Sequence, residues 1–179
     1  MNISAKKILT ISMLMLFLSV NSTAAKAKYP DIYKSVSIDV GVPVSILWNM
    51  ALQESRRQID GEWTPWPWTV NHAGDSHYFE SKEEAVNFVQ RKLTGGAKPI
   101  SIDMGLLQGN YHYNKKYIDE IGIVRFFEPK ENITFAAKKL RSCKDRGNTF
   151  TTCIGLYYNS DPEKSAVYKA NVAKRMKGE

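Results

Sequence analysis

Residues 42–57 read VPVSILWNMALQESRR. Leu47, Met50 and Ala51 recur at i, i+3 and i+4, the spacing of an apolar helix stripe, and the next member, at i+7, is Glu54. Two readings compete for that glutamate. Stripes are imperfect, and an acid near a helix end is usually an exposed edge residue. Alternatively, the carboxyl group borders the core and is partly desolvated, which raises its pKa. A carboxyl group still protonated near neutral pH can serve as a general acid.

Further polar residues stand out downstream. Gln108 closes the stretch MGLLQ, which opens on Met104, and follows the apolar turn that Gly105 initiates. Asn132 lies at the start of a helical pattern, and Tyr157, Tyr158 and Asn159 lie at the end of another. Each alone has a structural explanation: a surface amide, a cap, a core aromatic. Trp63, Trp66 and Trp68 could stack on pyranose faces or pack the core of a hairpin. His72, His77 and His112 show no ligand spacing, so no metal and no cofactor is expected. Cys143 and Cys153 lack the Cys-x-x-Cys spacing of a redox pair and are expected to form a structural disulfide in an oxidising compartment.

The elements that must position these residues are mostly helical. A helix is expected from Pro30 to Val40, with Ile32, Tyr33, Val36 and Val40 on one side and Gly41 as its stop. The helix carrying Glu54 follows, with Pro43 at its first position. Trp68–Val70 and His77–Phe79 read as two short strands around an Ala-Gly-Asp turn. Ser81-x-x-Glu84 is a capping box opening a helix with Ala85, Phe88, Val89 and Leu93 inward. SIDMGLLQGNYHYNKKYIDEIG gives a compact turn and a helix. Ile133, Ala136, Ala137 and Leu140 mark the next helix, FTTCIGLYYNSD another, and Tyr168, Val172 and Met176 the last. The expected class is α+β, mainly α: a single domain with a small β-hairpin insertion.

The first 27 residues read as a cleavable signal peptide. Lys6 and Lys7 precede an apolar run from Ile8 to Val20, too short to span a bilayer, and Ala25-Lys26-Ala27 has the form of a cleavage site. Cleavage would leave 152 residues, 28–179, with no membrane span, enough for one domain. The leader carries three lysines and no acid, so the net charge of +7 would fall to +4. Such an exported, mildly basic protein suits an anionic polymer or surface. Its basic residues are scattered, which argues against nucleic acid.

In this order, the motifs resemble the lytic transglycosylases with the soluble-lytic-transglycosylase (SLT) type of lysozyme-like domain. Members carry Glu-Ser at a helix end, a Gly-Leu-Met-Gln turn, an Asn-Ile helix start and an Ala-Tyr-Asn segment. Here these are Glu54-Ser55, Gly105-Leu106-Leu107-Gln108, Asn132-Ile133 and Tyr157-Tyr158-Asn159. The Trp-Pro-Trp-Thr stretch and the SIDMGLLQ lead-in are most similar to the subset associated with conjugation and type IV secretion. The resemblance covers nearly all of residues 28–179. Leu107 replaces the usual Met, and Ser160-Asp161 replaces the common Ala-Gly, so the loop there departs from the pattern.

The resemblance implies a periplasmic enzyme that acts on peptidoglycan glycan strands, with conjugation or type IV secretion components as partners. It implies that Glu54 protonates the glycosidic oxygen between MurNAc and GlcNAc. The deprotonated Glu54 then helps the sugar's own C6 hydroxyl attack, leaving a 1,6-anhydro end. The substrate's N-acetyl group assists, so a second carboxylate is not needed. Ser55 and Gln108 are expected to bind substrate or fix the site, with Met104 beside them. Tyr158 is expected to hold Glu54 or the sugar, and Asn159 to order its loop or contact an acetamido group.

Two rivals remain. A hydrolytic lysozyme of the same fold needs a second carboxylate roughly 5–9 Å from Glu54, with Asp60, Glu62, Asp75, Glu80 and Asp103 as candidates. A non-catalytic peptidoglycan-binding assembly factor needs no acid at all.

Overall fold

The computed structural model describes residues 28–178, so the leader expected over 1–27 lies outside the described residues. Helix α1 runs Asp31–Val40 and stops at Gly41, whose φ of 72° is the left-handed conformation glycine adopts freely. Helix α2 runs Val44–Ser55, with Pro43 as the residue before it rather than its first position. Leu47, Met50 and Ala51 are fully buried, as the stripe requires. Burying a side chain the size of Leu or Met stabilises the fold by roughly 1.5–3 kcal/mol.

The chain leaves α2 straight into an antiparallel hairpin of β1 (Arg56–Ile59) and β2 (Glu62–Pro65), which the sequence pattern did not reveal. The expected pair of strands is present, shifted: β3 is Thr69–His72 and β4 is Asp75–Tyr78, turning at Ala73-Gly74. Helix α3 (Lys82–Thr94) is capped by Ser81, whose side chain accepts from the Glu84 amide at 3.2 Å. Glu84 reaches back to the amide of Glu80 rather than to Ser81, a shifted form of the expected capping box.

The stretch expected to be a turn and a helix also holds two strands, β5 (Ile102–Met104) and β6 (Gly109–Asn110). They extend the second sheet to four strands in the order β4-β3-β5-β6, antiparallel throughout. Short helices α4 (Lys115–Ile121) and α5 (Ile123–Phe126) lead to α6 (Pro129–Asp145), α7 (Phe150–Tyr158) and α8 (Pro162–Lys177). Thr149 and Asp161 cap the last two by accepting from the amides of Thr152 and Lys164.

The class is α+β and mainly α, with two small antiparallel sheets. A hydrophobic core gathers Val36, Leu47, Met50, Ile133, Leu140 and Val172 from four helices. Cys143 and Cys153 form the disulfide, with Cα atoms 5.7 Å apart, and tie the end of α6 to α7. Among the described residues no helix is long and apolar enough to cross a membrane.

Candidate functional site

Strand pairing builds the floor of the site. Ser76 stands opposite Asn71, Asn71 opposite Asp103, and Asp103 opposite Asn110, one row across all four strands. All four line an open cleft of about 650 Å³ that also reaches Glu54, Lys139 and Tyr157. Successive side chains of a strand point to opposite faces. Ile102 and Met104 therefore face the core and are fully buried, while Asp103 between them faces the cleft. Met104, expected beside the substrate, is a core residue. Asn110 Nδ2 donates to Asp103 Oδ1 at 2.8 Å.

The Gly105–Gln108 turn follows directly, and the motif residues converge on it. Gly105 has φ 79°, and a Cβ there would sit 2.5 Å from Asn132 Nδ2. Asn132 is buried four positions into α6, not at its cap. Its Oδ1 accepts from the Leu107 amide at 2.8 Å, and its Nδ2 donates to the Met104 carbonyl at 3.3 Å. Ser55 Oγ lies 2.8 Å from the Leu106 carbonyl, and Tyr157 donates to the Leu107 carbonyl at 2.7 Å. Gln108 Nε2 donates to the Gly105 carbonyl at 2.8 Å and lines the cleft. Ser55 is fully buried, so of its two expected roles only fixing the site is open to it.

Glu54 sits half-buried at the edge of this cleft, at the end of α2. Burial pushes its pKa from 4.5 up to about 7, a hydrogen bond from the Tyr168 hydroxyl opposes the rise, and the charge of Asp103 adds to it. Burial also raises the pKa of Asp103. Tyr158, expected to hold Glu54 or the sugar, leaves the hydrogen bond to Glu54 to Tyr168 and lines the cleft. It is exposed and stacks flat on Tyr168, with ring centroids 4.8 Å apart, so it braces that tyrosine. The pair also walls a second hollow of about 380 Å³, so Glu54 borders open space on two sides. Asn159 lines the cleft, and its Oδ1 accepts from the Asp161 amide at 2.9 Å.

The tryptophans lie elsewhere. Trp66 and Trp68 pack edge to face at 5.6 Å, Trp66 donates to the Phe79 carbonyl at 2.7 Å, and exposed Trp63 carries the Arg56 guanidinium over its ring. None of the three lines the cleft with Glu54. Of the five candidate second carboxylates, Asp103 alone lines it.

Sequence reasoning missed Tyr168, which the four-residue spacing with Val172 disguised as a plain core residue. It also missed Asn71, Asn110 and Lys139. The alternation of Ile102, Asp103 and Met104 was the one available signal for the cleft-facing row. Among the described residues no three His, Cys, Asp or Glu side chains gather where they could hold a metal ion. In comparisons with known proteins, the chain matches no family model, no curated protein and no solved structure.

Proposed function

We propose that the protein is a peptidoglycan lytic transglycosylase with an SLT-type, lysozyme-like domain, and that Glu54 is its acid and base. The observation that carries this reading is a glutamate with pKa about 7 at the edge of an open, amide-lined cleft. A general acid is most effective when its pKa lies near the working pH. The neighbouring amides of Asn71, Gln108, Asn110 and Asn159 suit the hydroxyl and acetamido groups of an N-acetylated glycan.

In this mechanism protonated Glu54 gives its proton to the glycosidic oxygen as the bond to the muramyl anomeric carbon breaks. The substrate's acetamido oxygen supports the electron-poor carbon. The carboxylate so formed takes the proton of the C6 hydroxyl as that oxygen closes the 1,6-anhydro ring. Glu54 ends protonated, and no water is consumed. Ser55, Asn132 and Tyr157 hold the turn beneath the substrate, and Tyr168 holds the carboxyl group.

A second reading is favoured by one observation. Asp103 faces the same cleft as Glu54 and acts on it electrostatically. Two carboxylates in one site also suit hydrolysis with water as the acceptor. Mass spectrometry of sacculi digested with the protein separates the two. Ends of 1,6-anhydroMurNAc, absent with Glu54→Gln, support the transglycosylase; reducing ends, one water heavier, support the hydrolase. No cleavage by either protein would favour a wall-binding assembly factor, or an enzyme that needs its partner complex. The proposed setting is the periplasm, where the enzyme opens the wall for a conjugation or type IV secretion apparatus.

A further inference from the structure

The cleft holds one cation that neither mechanism uses. Among the described residues that line it, Lys139, on α6, is the one basic side chain. Its ammonium lies over the rings of Phe135 and Tyr157, 5.4 Å from each centroid. It donates to Asn114 Oδ1 at 3.2 Å, and Asn114 is itself anchored through Nδ2 to the Asn110 carbonyl at 2.7 Å. The ammonium is thus held in place by an oriented amide and two rings. Among the described residues it makes no ion pair, whereas Lys34, Lys82 and Lys115 each pair with a carboxylate. An ammonium has three donors, and Asn114 occupies one. Although the residue as a whole is exposed, packing around the ammonium lowers its pKa from the ordinary lysine value. Tyr157, the ring beneath it, is close enough to Glu54 to feel its charge.

A positioned cation with donors to spare, next to an acid that cuts sugars, asks for an anionic substituent on the sugar. We propose that Lys139 binds a carboxylate carried on the side arm of the muramyl residue, so that the cleft selects acidic glycan over neutral glycan. This rests on the glycan-cleaving reading above. The carboxylate has two possible sources, the lactyl group of a strand stripped of peptide and the stem peptide itself.

The test is a binding titration in the Glu54→Gln background, so that nothing turns over. Three short glycan strands are compared: one with free lactyl carboxylates, the same strand with those groups converted to neutral amides, and one bearing stem peptides. A charge-assisted hydrogen bond predicts about tenfold tighter binding of a charged strand than of the amidated one. Adding Lys139→Met should abolish that preference, and Lys139→Arg should keep it. Preference for the lactyl strand assigns the lactyl carboxylate; preference confined to the peptide-bearing strand assigns the stem. Equal binding of charged and amidated strands, or a preference that survives Lys139→Met, overturns the proposal while leaving the glycan reading intact. Failure to bind any strand overturns both.

Discussion

The Tyr168 hydroxyl donates a hydrogen bond to Glu54 Oε1 across 114 positions of sequence, joining α8 to the end of α2. The donor stabilises the carboxylate and restrains a pKa that burial alone would carry higher. The charge of Asp103 works in the opposite direction. The acid strength of Glu54 is therefore set between two residues that arrive from different parts of the fold.

Removing the hydroxyl should weaken the acid. In Tyr168→Phe the pKa of Glu54 rises, so the limb on which activity falls with increasing pH, expected near 7, moves to higher pH. A pH–rate profile of kcat/KM checks this, and an unmoved limb would mean that Tyr168 does not touch the working carboxyl group.

Asp103→Asn should move the same limb to lower pH, because a like charge that favours protonated Glu54 is gone. If Glu54 works alone, the variant keeps most of its maximal rate. A loss on the order of 10²-fold or more, with folding intact, would instead make Asp103 the second carboxylate of a hydrolase.

Glu54→Gln should lower cleavage by roughly 10²–10⁴-fold, the usual worth of a general acid. It should also change stability in a pH-dependent way. The folded-state pKa of about 7 lies above the ordinary 4.5, so the native protein binds the extra proton between these values. Wild-type stability therefore falls as pH rises through that window, by about 3 kcal/mol. The amide variant has no such loss. Thermal melts should show it more stable than wild type at pH 8 and little different at pH 4; a constant offset would contradict the raised pKa.

Asn132→Ala should destabilise the fold although Asn132 touches no substrate. It strands the buried Leu107 amide, which costs about 1–3 kcal/mol, and loses the bond to the Met104 carbonyl besides. The melting temperature should drop by about 5–10 °C, and activity should fall with it because the turn carrying Gln108 loosens. A variant with wild-type melting would show that the turn holds itself.

Reducing the Cys143–Cys153 bond opens a loop ten residues apart in sequence, for an expected loss of about 2–3 kcal/mol. Differential scanning calorimetry with and without reductant, with the thiols titrated, measures it. Unchanged melting with both thiols free would remove the bond from the stability of the fold.

Local pattern determined the helices, because a 3.6-residue repeat is written into each segment without reference to any other. Leu47, Met50 and Ala51 announced the buried face of α2, and with it the odd place of Glu54. Gly41, Ser81 and the cysteine pair were legible for the same reason: each acts through its own backbone or a close partner. What the sequence could not carry was which polar groups meet. Strands of two to four residues leave too little alternation to read, so the row from Ser76 to Asn110 exists only once four strands pair in register. Ser55, Asn132 and Tyr157 looked like separate residues with separate uses, and only packing shows that they grip one turn. Tyr168 is the plainest case. Its spacing marks it as core, and its ring is core, but its hydroxyl finds the acid of another helix, a contact that tertiary structure alone decides.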